Sequence, residues 1–340
     1  MTGTIVLAVQ PDLLVYRDAG GREQRVRTSK DWEKRRKQIL ANLQLVMGPL
    51  PRTDHSAPQM TVVEEVRLPH YIRRKITYVP ETGDSVPAFL LVPITSAASS
   101  GRKLPAMLCL HQTTRIGKGE PAGLGGKPNL HYAEELAERG YVTLAPDYPN
   151  FGDYTFDPYA HGYVSATMKG IFNHIRAVDL LASLPEVDPG RIGAIGHSLG
   201  GHNTLFLGAF DPRVRVLVTS CGFNSFFQYM KGDLTGWSHR GYMPRIASEY
   251  GKSPARMPFD FPDILAVLAP RPVFINAPLG DTNFEVSGVR RCVEVALPVF
   301  TTLFHAGDRL VAEYPEGGHD FPPAVREDAY RFVDRWLKQP

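Results

Sequence analysis

The stretch RIGAIGHSLGG, residues 191–201, decides the fold of this chain of 340 residues. Its first half is a short apolar run that predicts a buried strand, and the following residues, LGGHNTLFLGAF, predict a helix. Ser198 falls on the turn between them. A tight strand-to-helix turn brings backbones close together, so small residues such as Gly196 and Gly200 are needed beside the serine. The sequence therefore predicts a strand, a sharp turn with an outward serine, and a helix.

A serine raised out of a sheet in this way is placed to act as a nucleophile. The N-terminus of the following helix adds a positive dipole, and the backbone N–H of Leu199 can point at an oxyanion. The pattern G-x-S-x-G alone is common, and Ser198 could instead be a helix N-cap with glycines for packing. The strand–turn–helix context favours the catalytic interpretation.

Short apolar strands alternate with helices from Leu104 to the end of the chain, which predicts an α/β fold with a doubly wound, mostly parallel sheet. Residues 222–263 break this alternation. They are too many for a plain connection and are rich in aromatic residues, so they predict an inserted cap over the strand ends.

The N-terminal third differs from the rest of the chain. Residues 1–60 predict an arm of short strands and a helix, opened by Ser29 and Asp31 and stopped by Gly48-Pro49. Antiparallel strands follow, and a surface loop at residues 95–103 leads into the alternating region. We therefore expect two parts, residues 1–60 and a main domain of residues 61–340 that carries the cap.

Two loops at predicted strand ends supply the partners that a serine nucleophile needs. Asp281 follows the strand RPVFINA, and His319 follows the last strand, RLVAEYP. The chain order serine, acid, histidine is similar to that of the α/β-hydrolases. A turn aspartate and an exposed loop histidine are the ordinary alternatives, but their joint placement favours a triad of Ser198, Asp281 and His319.

Other acidic residues compete with Asp281 for the role of the acid. Glu285 and Asp263 rank well below it. Asp320 directly follows the base, but adjacent side chains rarely face each other productively.

The second oxyanion donor is expected from the loop after the first core strand. By position the N–H of Thr113 is the candidate, with Gln112 as the alternative. The cap residues Trp237 and Tyr242 are expected to shape the substrate pocket, or else to form the core of the cap. His239 is a further candidate for a substrate contact.

Composition excludes several classes of protein. The formal net charge is +3 and basic residues are spread out, which gives no basis for nucleic-acid binding. Three cysteines without a C-x-x-C pattern suggest reduced, buried thiols, and the histidines show no ligand spacing, so no metal and no other cofactor are expected. The sequence lacks a signal-peptide pattern and any membrane-length apolar run, which favours a cytoplasmic location, although a secreted form whose signal has been removed would look the same. The sequence leaves open whether the chain forms a homo-oligomer.

These motifs resemble those of the α/β-hydrolase superfamily, and within it those of acetyl xylan esterase-like and dienelactone-hydrolase-like proteins. The resemblance rests on LCLHQTT, APDYPNFGD, RIGAIGHSLGG, LAPRPVFINAPLGDTNF and YPEGGHDFP, and on the cap and N-terminal strings. It implies a serine carboxylesterase acting on small, acetyl-like acyl groups of a small-molecule or sugar ester. Dienelactone hydrolases use a cysteine nucleophile, so their substrate does not carry over to a chain with Ser198.

Two other functions stay open at this point. A peptidase of the prolyl-oligopeptidase type would use the same triad, but the first hundred residues are too few for a propeller domain. A catalytically silent hydrolase fold acting as a binding protein belongs to another class, and the complete set of triad residues argues against it.

Overall fold

In the computed structural model, residues 12–94 and 101–338 are described, and they contain a nine-stranded sheet and a separate two-stranded one. The large sheet has the strand order β11-β10-β9-β8-β6-β7-β5-β4-β3. Strands β6 to β11 pair in parallel, whereas β3, β4 and β5 pair antiparallel at one edge. The predicted α/β fold is confirmed. The predictions for residues 1–11 and 95–100 lie outside the described residues.

Strands β5, β6, β7, β9 and β10 coincide with apolar runs of the sequence, whereas β2, β3 and β4 carry many polar residues. The strands are β1 (Val15–Arg17), β2 (Glu23–Arg25), β3 (Met60–Arg67), β4 (Tyr71–Tyr78), β5 (Val86–Pro93), β6 (Leu104–Leu110), β7 (Val142–Pro146), β8 (Val187–His197), β9 (Val214–Ser220), β10 (Val273–Asn276) and β11 (Leu310–Glu313). Every residue of β6, β7 and β10 is buried, as expected for strands covered by helices on both faces.

Eight α-helices connect or cover these strands in the described part of the chain. They are α1 (Ser29–Met47), α2 (Tyr132–Glu138), α3 (Ala166–Ser183), α4 (Leu199–Phe210), α5 (Arg245–Ser248), α6 (Phe261–Leu268), α7 (Val286–Pro298) and α8 (Pro323–Leu337). The hydrophobic residues of α2 and α8 pack on one face of the sheet, and those of α3, α4, α6 and α7 pack on the other. None of the described helices combines the length and the apolar character that a membrane span requires.

The first helix shows how the sequence sets an element and how the fold adjusts it. Helix α1 begins at Ser29 as predicted, but its N-cap is Thr28, whose hydroxyl accepts a hydrogen bond from the Asp31 N–H at 3.2 Å. Gly48 ends the helix with φ 93°, and a Cβ there would lie 2.6 Å from the Cβ of Val164. A glycine is therefore required at this position.

Residues 222–263 leave the sheet and form only short helical turns around α5. An aromatic cluster holds this segment together, and Trp237, 2% exposed, lies at its centre. The indole ring lies within 6.0 Å of the rings of Phe226, Tyr229, Tyr242, Phe261, Phe284 and His202. The segment is thus continuous with the main hydrophobic core, which it joins against α4 and α6.

The register of the parallel strands places the functional loops together at the carboxyl-terminal ends of those strands. His197 pairs with Ser220, Ser220 with Asn276, and Asn276 with Glu313 across four parallel strands. Because parallel strands end at the same edge, the loops after β8, β10 and β11 start side by side.

Candidate active site

Ser198 is the single residue between β8 and α4, and its backbone is strained, with φ 53° and ψ −116°. The strain is held by close packing around the turn. A Cβ on Gly200 would lie 1.9 Å from the carbonyl oxygen of Leu110, and one on Gly196 would lie 2.2 Å from the carbonyl oxygen of Gly200. The N–H of Ser198 donates to Ser220 O at 2.8 Å, which ties the turn to the neighbouring strand. The glycines of the motif are therefore dictated by backbone contacts.

The structure brings Asp281 and His319 together. His319 Nδ1 lies 2.9 Å from Asp281 Oδ2, and the other carboxylate oxygen accepts the N–H groups of Asn283 and Phe284 at 2.8 and 3.0 Å. Burial alone would raise the pKa of Asp281, but the hydrogen bond and charge of His319 and the two amides outweigh it, so the pKa is lowered. The carboxylate therefore stays ionised and holds the Nδ1 side of the His319 ring.

The competing acids have other partners. Asp320 accepts a hydrogen bond from Asn129 Nδ2 at 2.6 Å, and Asp263 forms a buried ion pair with Arg35 at 2.9 Å. Glu285 is exposed beside the start of α7. Among the described residues, His319 hydrogen-bonds to the carboxylate of Asp281 and to none of these three.

The loop after β6 is held in shape by a buried histidine that the sequence reasoning did not single out. His111 Nδ1 lies 2.6 Å from Gln112 O, and its Nε2 accepts the N–H of Tyr148 at 2.9 Å. Burial lowers the pKa of His111, which favours the neutral ring that this pairing needs. The Gln112 side chain donates to Glu120 at 3.1 Å, while Thr113 is exposed. The assignment of the second oxyanion donor to the N–H of Thr113, with Gln112 as the alternative, stays a prediction.

The predicted pocket residues occupy three different positions. Tyr242 is half-buried, and its hydroxyl lies 3.5 Å from Thr113 Oγ1, so it bridges the cap and the loop after β6. His239 is exposed and its ring lies 4.3 Å from that of Tyr242. Trp237 is buried, and its ring lies 6.0 Å from those of Tyr242 and Phe284. The ring of Phe284 in turn lies 5.9 Å from that of His319. Phe284, whose ring contacts that of His319, was not predicted from the sequence.

A polar network beneath the site was also missed. Ser220 Oγ lies 2.8 Å from His197 Nδ1 and accepts Asn276 Nδ2 at 2.8 Å, and Asn276 Nδ2 also donates to Asp320 O at 2.9 Å. These bonds connect the turn before the serine to the residue after His319. A polar residue at the last position of each apolar strand is the signal that could have found this network.

The fold brings two histidines and a cysteine close together. They show no ligand spacing along the chain, yet the fold brings ligand atoms of His197, Cys221 and His319 within 4.8 Å of one another. Burial, with added repulsion from Asp281, raises the pKa of the Cys221 thiol well above its usual value, so the thiol is protonated in the free protein.

A nine-stranded α/β sheet with a strained serine between strand and helix defines a serine hydrolase. The chain belongs to the alpha/beta hydrolase family, whose sequence model matches residues 123–338. That range includes Ser198, Asp281 and His319.

Individual relatives agree with this assignment. The chain is 27% identical over 216 residues to YtaP of Bacillus subtilis (strain 168), a hydrolase by name, and the match covers 61% of this chain and 68% of that protein. A glucuronoyl esterase from Solibacter usitatus has a similar structure, with a TM-score of 0.73, 19% identity and coverage of 96% of this chain and 97% of that one. Acetyl xylan esterase 1 from Thermoanaerobacterium sp. JW/SL YS485 matches with a TM-score of 0.59, 17% identity and coverage of 88% and 92%. At these identities the two structures share the fold.

Proposed function

We propose that this protein is a serine esterase that hydrolyses short-chain carboxylic esters of carbohydrates. The observation that carries the proposal is the hydrogen bond between His319 Nδ1 and the buried carboxylate of Asp281. The His319 ring lies 4.8 Å from that of His197, which directly precedes Ser198 on its strained turn. The hydrogen bond fixes the imidazole tautomer and stabilises the charged ring that forms when a serine proton is taken up.

The reaction proceeds by two acyl transfers. Ser198 Oγ attacks the ester carbonyl while His319 Nε2 takes the serine proton, and the same proton then goes to the leaving alcohol. The Leu199 N–H, at the start of α4, and an amide of Thr113 or Gln112 stabilise the oxyanion. Water then attacks the acyl-enzyme with His319 again acting as the base.

The carbohydrate part of the proposal is supported by aromatic side chains near Leu199 and by the names of the similar structures. Tyr242 and Phe151 are half-buried, and both pack against the cluster that contains Leu199, the residue after Ser198. Aromatic rings with a polar edge suit the apolar faces and hydroxyl groups of sugars. The two similar structures described above are named as esterases of glucuronoyl and acetyl xylan substrates.

Replacing the nucleophile tests the mechanism. Ser198→Ala is expected to lower kcat for p-nitrophenyl acetate by about four orders of magnitude or more, since an alanine cannot form the acyl-enzyme. It is also expected to abolish labelling by a fluorophosphonate. Ser287→Ala, at an exposed serine, is the matched control and should behave as wild type. Activity surviving in Ser198→Ala would rule out the mechanism.

A substrate panel tests the ester class separately. We expect acetylated xylo-oligosaccharides or alkyl esters of glucuronic acid to be cleaved with a higher kcat/KM than p-nitrophenyl butyrate, octanoate or dodecanoate. A preference for long acyl chains, or for peptides, would overturn the substrate proposal while leaving the serine mechanism intact.

A further inference from the structure

We propose that His197, Cys221 and His319 form a binding site for a thiophilic divalent cation, and that the bound cation inhibits hydrolysis by occupying the catalytic histidine. The proposal rests on the proposed function for the role of His319. It is carried by geometry: one ligand atom from each residue lies within 4.8 Å of the other two. Imidazole nitrogen and cysteine sulfur are the donors that zinc and related soft cations prefer.

An unsatisfied nitrogen provides the second observation. His197 is completely buried, its Nδ1 is committed to Ser220 Oγ at 2.8 Å, and its Nε2 has no hydrogen-bond partner in the described structure. A buried polar atom left in this way costs free energy, which a ligand at that position would recover.

The ligand atoms of the three side chains are slightly too far apart to bind one cation as they stand. Zinc bonds of about 2.0 to 2.3 Å in tetrahedral geometry place ligand atoms about 3.5 Å apart, so the largest separation must shrink by roughly 1 Å. His197 is the last residue of β8, and Cys221 directly follows β9, so both are buried at the carboxyl-terminal ends of strands. His319, in contrast, is 24% exposed and follows Gly317 and Gly318 in its loop. His319 is therefore the ligand that moves, and its movement takes it out of the arrangement with Asp281 and Ser198.

Binding is a proton-exchange step with no redox change. The S–H bond of Cys221 breaks, a sulfur–metal bond forms, and the thiol proton leaves to solvent. The cation reaches the site through the opening at His319, the most exposed of the three ligands.

Zinc chloride is the probe, and magnesium chloride is the control, because magnesium prefers oxygen ligands. We expect zinc, but not magnesium, to inhibit hydrolysis of p-nitrophenyl acetate. Cys221→Ser should raise the inhibitory zinc concentration by about tenfold or more, measured relative to its own activity without zinc. Cys292→Ser, at a buried thiol in α7 outside this cluster, is the matched control and should keep wild-type sensitivity.

His197→Asn tests the second ligand and is expected to lower zinc sensitivity in the same way. Equilibrium dialysis and the charge-transfer absorption of a cobalt thiolate measure binding without using activity, so loss of the site and failure of the esterase proposal are distinguishable. Unchanged zinc sensitivity in Cys221→Ser, or no zinc and no cobalt bound to the wild-type protein, would overturn the proposal. Thermal unfolding of each variant establishes that it is folded.

Discussion

At the scale of single residues, the site depends on which carboxylate His319 meets. Two aspartates were candidates near the base, and they have opposite surroundings. The Asp281 side chain is almost fully buried and forms hydrogen bonds with His319 Nδ1 and with two backbone N–H groups. The Asp320 side chain instead accepts a hydrogen bond from Asn129. The backbone carbonyl of Asp320 instead accepts from Asn276, so this residue anchors the loop of the base.

Asp281→Asn is expected to lower kcat by about four orders of magnitude with little change in fold, because the amide favours the wrong imidazole tautomer. Asp320→Asn is the matched control, since an amide oxygen can still accept from Asn129, and kcat should stay near that of wild type. Steady-state kinetics on p-nitrophenyl acetate measures both. An equally large loss in Asp320→Asn would show that the acid has been misassigned.

At the scale of elements, a buried ion pair fixes the N-terminal helix to the hydrolase domain. Arg35 in α1 donates to Asp263 in α6 at 2.9 Å, and both side chains are less than 10% exposed. Asp263 also accepts the N–H of Asp260 in a capping box, so the same carboxylate holds the start of α6. The predicted boundary between residues 1–60 and the rest of the chain is therefore bridged by a charge pair, and the proposed division into two parts stays a prediction.

Arg35→Ala is expected to lower the free energy of unfolding by about 3 to 5 kcal/mol, because it leaves the Asp263 charge buried without its partner. Urea unfolding measures this loss. Arg291→Ala removes one member of an exposed pair with Glu294 in α7 and should change the free energy by less than about 0.5 kcal/mol. Similar effects of the two changes would contradict the structural role of the buried pair.

At the scale of the whole molecule, buried histidines connect stability to pH. Burial lowers the pKa of His202 to about 3, and burial with the nearby His111 lowers that of His174 to about 3, from an ordinary value of 6.5. The unfolded chain therefore binds more protons than the folded one between these values. Their contribution to stability is complete above pH 6.5 and is lost as the pH falls toward 3.

The free energy of unfolding is expected to fall as the pH is lowered from 6.5, with each of these two histidines adding about 1.4 kcal/mol per pH unit to the slope. Urea titrations at several pH values measure the slope. His174→Met should reduce the slope by about that amount. His70→Gln, at an exposed histidine, should keep the wild-type slope, and a slope unaffected by His174→Met would refute the assignment.

The sequence alone determined the alternation of buried strands and helices, the strained serine between them and the order Ser198, Asp281, His319. All three features follow from local patterns in the sequence. Apolar runs indicate the strands and helices, small residues indicate the tight turn at Ser198, and Asp281 and His319 each come after a predicted strand. Only the tertiary structure decided which side chains meet at the carboxyl-terminal ends of neighbouring strands. The Ser220–Asn276 network, Phe284 beside His319 and the meeting of His197 with Cys221 arise from the register of parallel strands that are far apart in sequence. No local pattern encodes that register, because each contact joins residues brought together by packing of the whole domain.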